Sequence, residues 1–208
     1  MLERKLLPQD VTLKLSQHQG WGVFIQTFKK RFGLVKHSTA HEIATAMGEE
    51  YFRGYYVFTF CRNPFARAYS AFRFTVSADA KHRPESERYQ AIKDMTFEEF
   101  LLSSYMQDKR IFQARPQSEW IKNAPSKVHI FKLENLESEL RKLSVQFYGS
   151  PTALGNVPHL NKSTDREEWK DMSPEAEKII TALYREDFEL LGYPTFIDRI
   201  GQRGAAQQ

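Results

Sequence analysis

The sequence has a single cysteine, Cys61, among its 208 residues. One thiol excludes an intrachain disulfide and any cysteine-built metal site. Cys61 closes an apolar run, so it reads as a buried structural thiol rather than a reactive one. No stretch approaches the roughly 18 consecutive apolar residues of a membrane span. The first residues, Met1-Leu2-Glu3-Arg4-Lys5, carry charges with no apolar core behind them, so no secretory signal is expected. The expected compartment is therefore the cytoplasm. A membrane-associated or Golgi-lumenal place is the alternative for a chain that has lost an N-terminal segment. There is no Gly-x-x-x-x-Gly-Lys-Ser/Thr phosphate loop, which argues against a nucleotide kinase of that type. Internal repeats and interdomain linkers are also missing. An excess of charge is nearly so: the net value is only +4, which suits an anionic ligand but does not by itself point to nucleic acid.

What is present is an ordinary globular composition, 41% hydrophobic and 27% charged, long enough for one sizeable core. With 16 Phe and 9 Tyr, much of that core must be aromatic. We expect one domain over residues 1–200 and a disordered tail over 201–208.

The most informative stretch is 55–72. Val57-Phe58-Thr59-Phe60 is β-branched and aromatic, as a core strand should be. Asn63 can cap the following helix, with Pro64 at the first helical position. Arg62 then lies between a strand's carboxyl end and a helix N-terminus, where main-chain N–H groups and the helix dipole attract an anion. A guanidinium there adds a permanent, forked donor. Arg67 and Ser70 are three apart on the helix and share a face. Arg62, Ser70 and Arg67 thus form a candidate anion clamp, the alternative being an ordinary strand-turn-helix with a surface arginine.

Elsewhere, Val11, Leu13 and Leu15 alternate as in a short strand. Ile25, Phe28 and Phe32 have helical spacing up to Gly33. Thr39 and Glu42 have capping-box spacing before a helix ending at Gly48, and Thr96 with Glu99 repeats the pattern. Residues 75–95 are polar and read as a long loop of the lid or substrate-binding kind. Val128-His129-Ile130-Phe131 is a second strand. A helix follows with Leu136, Leu140, Leu143 and Phe147 on one face and Gly149 at its end. The last helix runs from Ser173-Pro174 to Gly192. Strands alternating with helices imply an open, mostly parallel sheet covered by helices. Ligands bind such sheets beyond the strands' carboxyl ends, which puts Arg62 and Glu134 on one edge.

Five ordered pieces, taken together, resemble the carbohydrate sulfotransferase superfamily. They are His37-Ser38-Thr39-Ala40, the run Phe60 to Ser70, Arg115-Pro116-Gln117-Ser118, Leu133-Glu134-Asn135-Leu136, and His159-Leu160-Asn161-Lys162-Ser163 before Asp187 to Tyr193. The resemblance spans about Ile25 to Tyr193. It implies a P-loop-kinase-like three-layer α/β fold with a central, mostly parallel sheet. It also implies transfer of a sulfuryl group from 3′-phosphoadenosine-5′-phosphosulfate (PAPS) to a hydroxyl of a carbohydrate-type acceptor, without a metal. Arg62 and Ser70 would hold the 3′-phosphate, and Lys162 and Ser163 match a segment near the cofactor. In-line transfer needs a base for the acceptor hydroxyl. His37, just before a helix, is the first candidate and His41 the second, while Glu134 is either a base or a structural anchor. Gln117 and the 75–95 stretch are candidate acceptor contacts.

One piece departs from the family pattern. Members carry a loop of the type Pro-Lys-Thr-x-Gly-Thr-Ser before the first helix, whose lysine neutralises the leaving group. Here the corresponding place is His18-Gln19-Gly20-Trp21-Gly22-Val23-Phe24. Gly22 survives, and Gln19 stands for the lysine. Loss of such a charge costs transition-state stabilisation. Three explanations stay open: a nucleotide- or polyanion-binding protein impaired in catalysis, a substitute cation such as Lys14 or Lys29, or a misread N-terminal frame. Read one base later, the codons for Gln19 to Ile25 give Lys or Arg first and Gly third, and permit Ser at the fifth and sixth places. The nucleotide sequence decides that last idea.

Overall fold

The computed structural model describes residues 34, 37–82, 85–153 and 168–198. The expected strand at 11–15, the helix at 25–33, the loop at 18–24 and the segment 159–163 lie outside them.

Two helices open the described chain, α1 (Ala40–Met47) and α2 (Glu49–Arg53). The capping box expected for α1 is formed: Glu42 N–H donates to Thr39 Oγ1 at 3.1 Å, and Thr39 N–H donates to Glu42 Oε2 at 2.6 Å. Strand β1 (Val57–Cys61) leads into the long helix α3 (Pro64–His82). Then come α4 (Glu87–Ile92), α5 (Phe97–Leu102), α6 (Ser104–Gln107) and α7 (Ser118–Ile121). Strand β2 (Val128–Lys132), a 3-10 turn at Leu133–Asn135 and α8 (Leu136–Tyr148) follow. A 3-10 turn at Glu168–Asp171, α9 (Pro174–Leu183) and α10 (Arg185–Leu191) complete the order.

β1 and β2 pair in parallel, from Val57 opposite Val128 to Cys61 opposite Lys132. The expected α/β class therefore holds at the level of a small parallel sheet flanked by helices. Because the strands run the same way, Arg62 and the Leu133–Asn135 turn leave the sheet at the same edge. The main core lies between α3, α5, α6, α9 and α10, where Phe65, Phe100, Leu101, Met106, Ile180 and Phe188 are fully or almost fully buried. A smaller cluster of Ala40, Ala44 and Phe52 sits beneath the starts of β1 and β2. No helix among the described residues is long and apolar enough to cross a membrane.

Two expectations are corrected. Residues 75–95 are not one long loop: α3 continues to His82 and α4 occupies Glu87–Ile92. The Thr75 hydroxyl is buried and bonded to Ala71 O within the helix, and no helix breaker intervenes before Pro84. The final helix is also two helices, broken at Tyr184, whose backbone leaves helical geometry (φ −120°, ψ 30°). Its ring is buried and its hydroxyl donates to Ala114 O at 3.1 Å.

Candidate active site

Arg62 is the first residue beyond β1. Asn63 caps α3 as its sequence position suggests: its Oδ1 accepts the Phe65 N–H at 2.9 Å, and its carbonyl accepts the Arg67 N–H at 2.8 Å. Pro64 occupies the first helical position, where a missing N–H is harmless. This joint opens onto a pocket of about 370 Å³, within the roughly 300–1,000 Å³ usual for small-molecule sites. Arg62, Arg67, Ser70 and His37 all line it, with Phe74, Phe112, Gln117 and Trp120 as neighbouring walls.

The two arginines differ in what they hold. Arg67 Nη2 donates to Arg115 O at 2.6 Å and Phe112 O at 3.1 Å. Its guanidinium also lies over the rings of Trp120 and Tyr184, at 5.7 and 5.6 Å from their centroids. Burial pulls its pKa down, and nearby Tyr184 and Asp187 push it back up. Arg67 thus braces the 112–115 loop. The Arg62 guanidinium, half-buried, has no hydrogen-bond acceptor among the described residues. Burial lowers its pKa as well, while the more distant Glu134 charge opposes this. A partly desolvated cation facing a pocket is stabilised by an incoming anion.

His37 stacks on Phe112, with ring centroids 4.3 Å apart and planes 9° from parallel, and its carbonyl accepts the Trp120 Nε1–H at 3.2 Å. His41, the second residue of α1, is exposed and outside the pocket lining. Glu134 also lies outside the lining. Its Oε1 accepts the Asn63 N–H at 2.6 Å, and its Oε2 accepts the Tyr193 hydroxyl at 2.7 Å. Cys61 is buried, which pushes its thiol pKa up, while a 3.7 Å contact with the Tyr193 hydroxyl pulls the other way. Gly22, Lys162 and Ser163 lie outside the described residues.

Gln117 touches the main chain of Arg62 through both ends of its amide. Its loop is held in turn by Asp187, a fully buried carboxylate. By sequence Gln117 is a candidate acceptor contact, while the aromatic walls Phe112 and Trp120 carry no expected role. Their only local signal was proximity to Arg115-Pro116-Gln117.

A cation at the carboxyl end of a parallel strand, a hydroxyl on the next helix and a histidine across the pocket define a site suited to handling anionic groups. The chain belongs to the sulfotransferase family, whose model matches residues 25–194. No curated protein and no solved structure matches it.

Proposed function

We propose that the chain is a PAPS-dependent sulfotransferase acting on a hydroxyl of a carbohydrate-type acceptor. The observation that carries this reading is the convergence of Arg62, Ser70 and His37 on one pocket at the sheet's carboxyl edge. The donor set fits the cofactor: a half-buried guanidinium beside a hydroxyl matches a phosphate monoester. Arg62 and Ser70 would hold the 3′-phosphate. When bound, PAPS supplies an activated sulfuryl group and leaves as adenosine 3′,5′-bisphosphate.

His37 is our choice of general base. As a neutral imidazole it accepts the proton that the acceptor hydroxyl loses as its oxygen bonds to sulfur. Stacking on Phe112 limits the ring's rotation, so the imidazole is oriented before the acceptor arrives. Arg62 stays charged throughout, and its role is to bind and orient. We extend the reading to a P-loop-kinase-like three-layer fold within a single domain over residues 1–200.

Gln19, in the place of the family's lysine, favours a second reading in which the chain binds nucleotide or polyanion without efficient transfer. A transfer assay with sulfate-labelled PAPS and a panel of glycan acceptors separates the two. Labelled glycan that disappears in His37→Ala supports the enzyme. Nucleotide binding without labelled product supports the binding protein.

A further inference from the structure

Gln117 and Arg62 are far apart in sequence and joined by one side-chain amide. The Arg62 N–H donates to Gln117 Oε1 at 2.9 Å, and Gln117 Nε2 donates to Arg62 O at 2.8 Å. The strand pairing of β1 ends one residue earlier, at Cys61 opposite Lys132. The amide therefore gives Arg62 the donor and acceptor that a neighbouring strand would otherwise supply. A carboxamide offers a donor at one prong of its fork and an acceptor at the other. A carboxylate offers only acceptors, and asparagine is one methylene too short from the same backbone.

The amide reaches from a fixed base. Asp187 is fully buried on α10, where its Oδ2 accepts the Gln117 N–H at 2.8 Å and its Oδ1 accepts the Ser118 N–H at 2.7 Å. Arg67 holds the carbonyls of Phe112 and Arg115 in the preceding loop, and Tyr184 holds that of Ala114. Every joint between α10 and the Arg62 main chain is thus hydrogen-bonded. The next group outward is the guanidinium in the pocket.

We propose that Gln117 is a positioning residue: its carboxamide, anchored by Asp187, fixes the Arg62 main chain so that the guanidinium meets a phosphate monoester in the pocket. This rests on the reading above in which Arg62 takes the 3′-phosphate, and it replaces the expectation that Gln117 touches the acceptor. A directional donor displaced by a fraction of an ångström loses much of its effect.

Calorimetric titration with adenosine 3′,5′-bisphosphate and with adenosine 5′-monophosphate isolates the contribution of the 3′-phosphate. The full chain is compared as wild type, Arg62→Ala, Gln117→Met and Gln117→Glu. Wild type is expected to prefer the bisphosphate, and Arg62→Ala to lose that preference. Gln117→Met, similar in size and without hydrogen bonds, is expected to weaken bisphosphate binding about tenfold while leaving the monophosphate unchanged. Gln117→Glu is expected to show the same loss at about pH 8 and to recover in large part at about pH 4, below the usual glutamate value, where a neutral carboxyl again offers a donor and an acceptor. That recovery, read relative to wild type at each pH, covers the case in which the Met variant does not fold. If Arg62→Ala loses the preference but Gln117→Met retains it, or Gln117→Glu binds like wild type at both pH values, the positioning role is overturned and the Arg62 reading stands. If wild type shows no preference, the Arg62 reading itself fails and the inference falls with it.

Discussion

Glu134 Oε1 accepts the Asn63 N–H at 2.6 Å, so the turn that follows β2 holds the residue that caps α3. Its other oxygen accepts the Tyr193 hydroxyl at 2.7 Å. The carboxylate thereby ties two strand ends to the segment that follows α10. A group with both oxygens engaged this way is poorly placed to take a substrate proton.

Glu134→Gln is accordingly expected to lower stability by about 1 kcal/mol, a modest value because the residue is exposed. Urea unfolding measures this. The pH dependence of the transfer rate should keep its acidic limb, the fall in rate as the base gains a proton, in the variant. Loss of that limb would make Glu134 the base.

Arg67→Lys should be costly where a surface arginine would be neutral. An ammonium cannot serve the carbonyls of Phe112 and Arg115 while stacking on Trp120 and Tyr184. Leaving one of these groups unsatisfied costs on the order of 2 kcal/mol, and the midpoint of urea unfolding reads it. If Arg67 is instead a prong for the ligand, stability will hold and nucleotide affinity will fall.

Burial raises the Tyr184 phenol to about 12, with Arg67 lowering it and Asp187 raising it. The unfolded chain loses this proton near pH 10, the usual tyrosine value. Below that pH both states hold the proton and the native state keeps its full advantage. Between about pH 10 and 12 only the unfolded state is deprotonated, so stability falls as pH rises, by about 3 kcal/mol in all. Tyr193 adds to the same alkaline loss, since burial and its bond to Glu134 also favour the neutral phenol. Unfolding followed across this range should show a shallower decline in Tyr184→Phe. An unchanged slope would contradict the assignment.

The local parts of this fold were legible in the sequence because their causes are local. Thr39 with Glu42, and Thr96 with Glu99, form capping boxes because hydrogen-bond reach is set by a three-residue spacing. Val57 to Pro64 reads correctly as strand, joint and cap for the same reason. The continuation of α3 through Asp79-Ala80-Lys81-His82 was not legible, because a polar stretch without an apolar period looks alike in a loop and on a solvated helix. The break at Tyr184 has no glycine or proline to announce it and coincides with a tertiary bond to Ala114. The site divides the same way. Arg62, Ser70 and His37 could be singled out from neighbouring residues, and the structure brings them together. Asp187, Gln117 and Glu134 act across long separations, and no spacing rule ties a carboxylate on α10 to a turn before α7.

The most direct test of the central claim is the melting temperature of the full chain titrated with adenosine 3′,5′-bisphosphate, in wild type and Arg62→Ala. Ligand that binds only the native state raises it, by about 2.7 kcal/mol of stability at a hundredfold excess over the dissociation constant. The expected result is a saturable rise in wild type that is lost in Arg62→Ala. No rise in wild type at millimolar ligand, or an equal rise in both, would contradict the account.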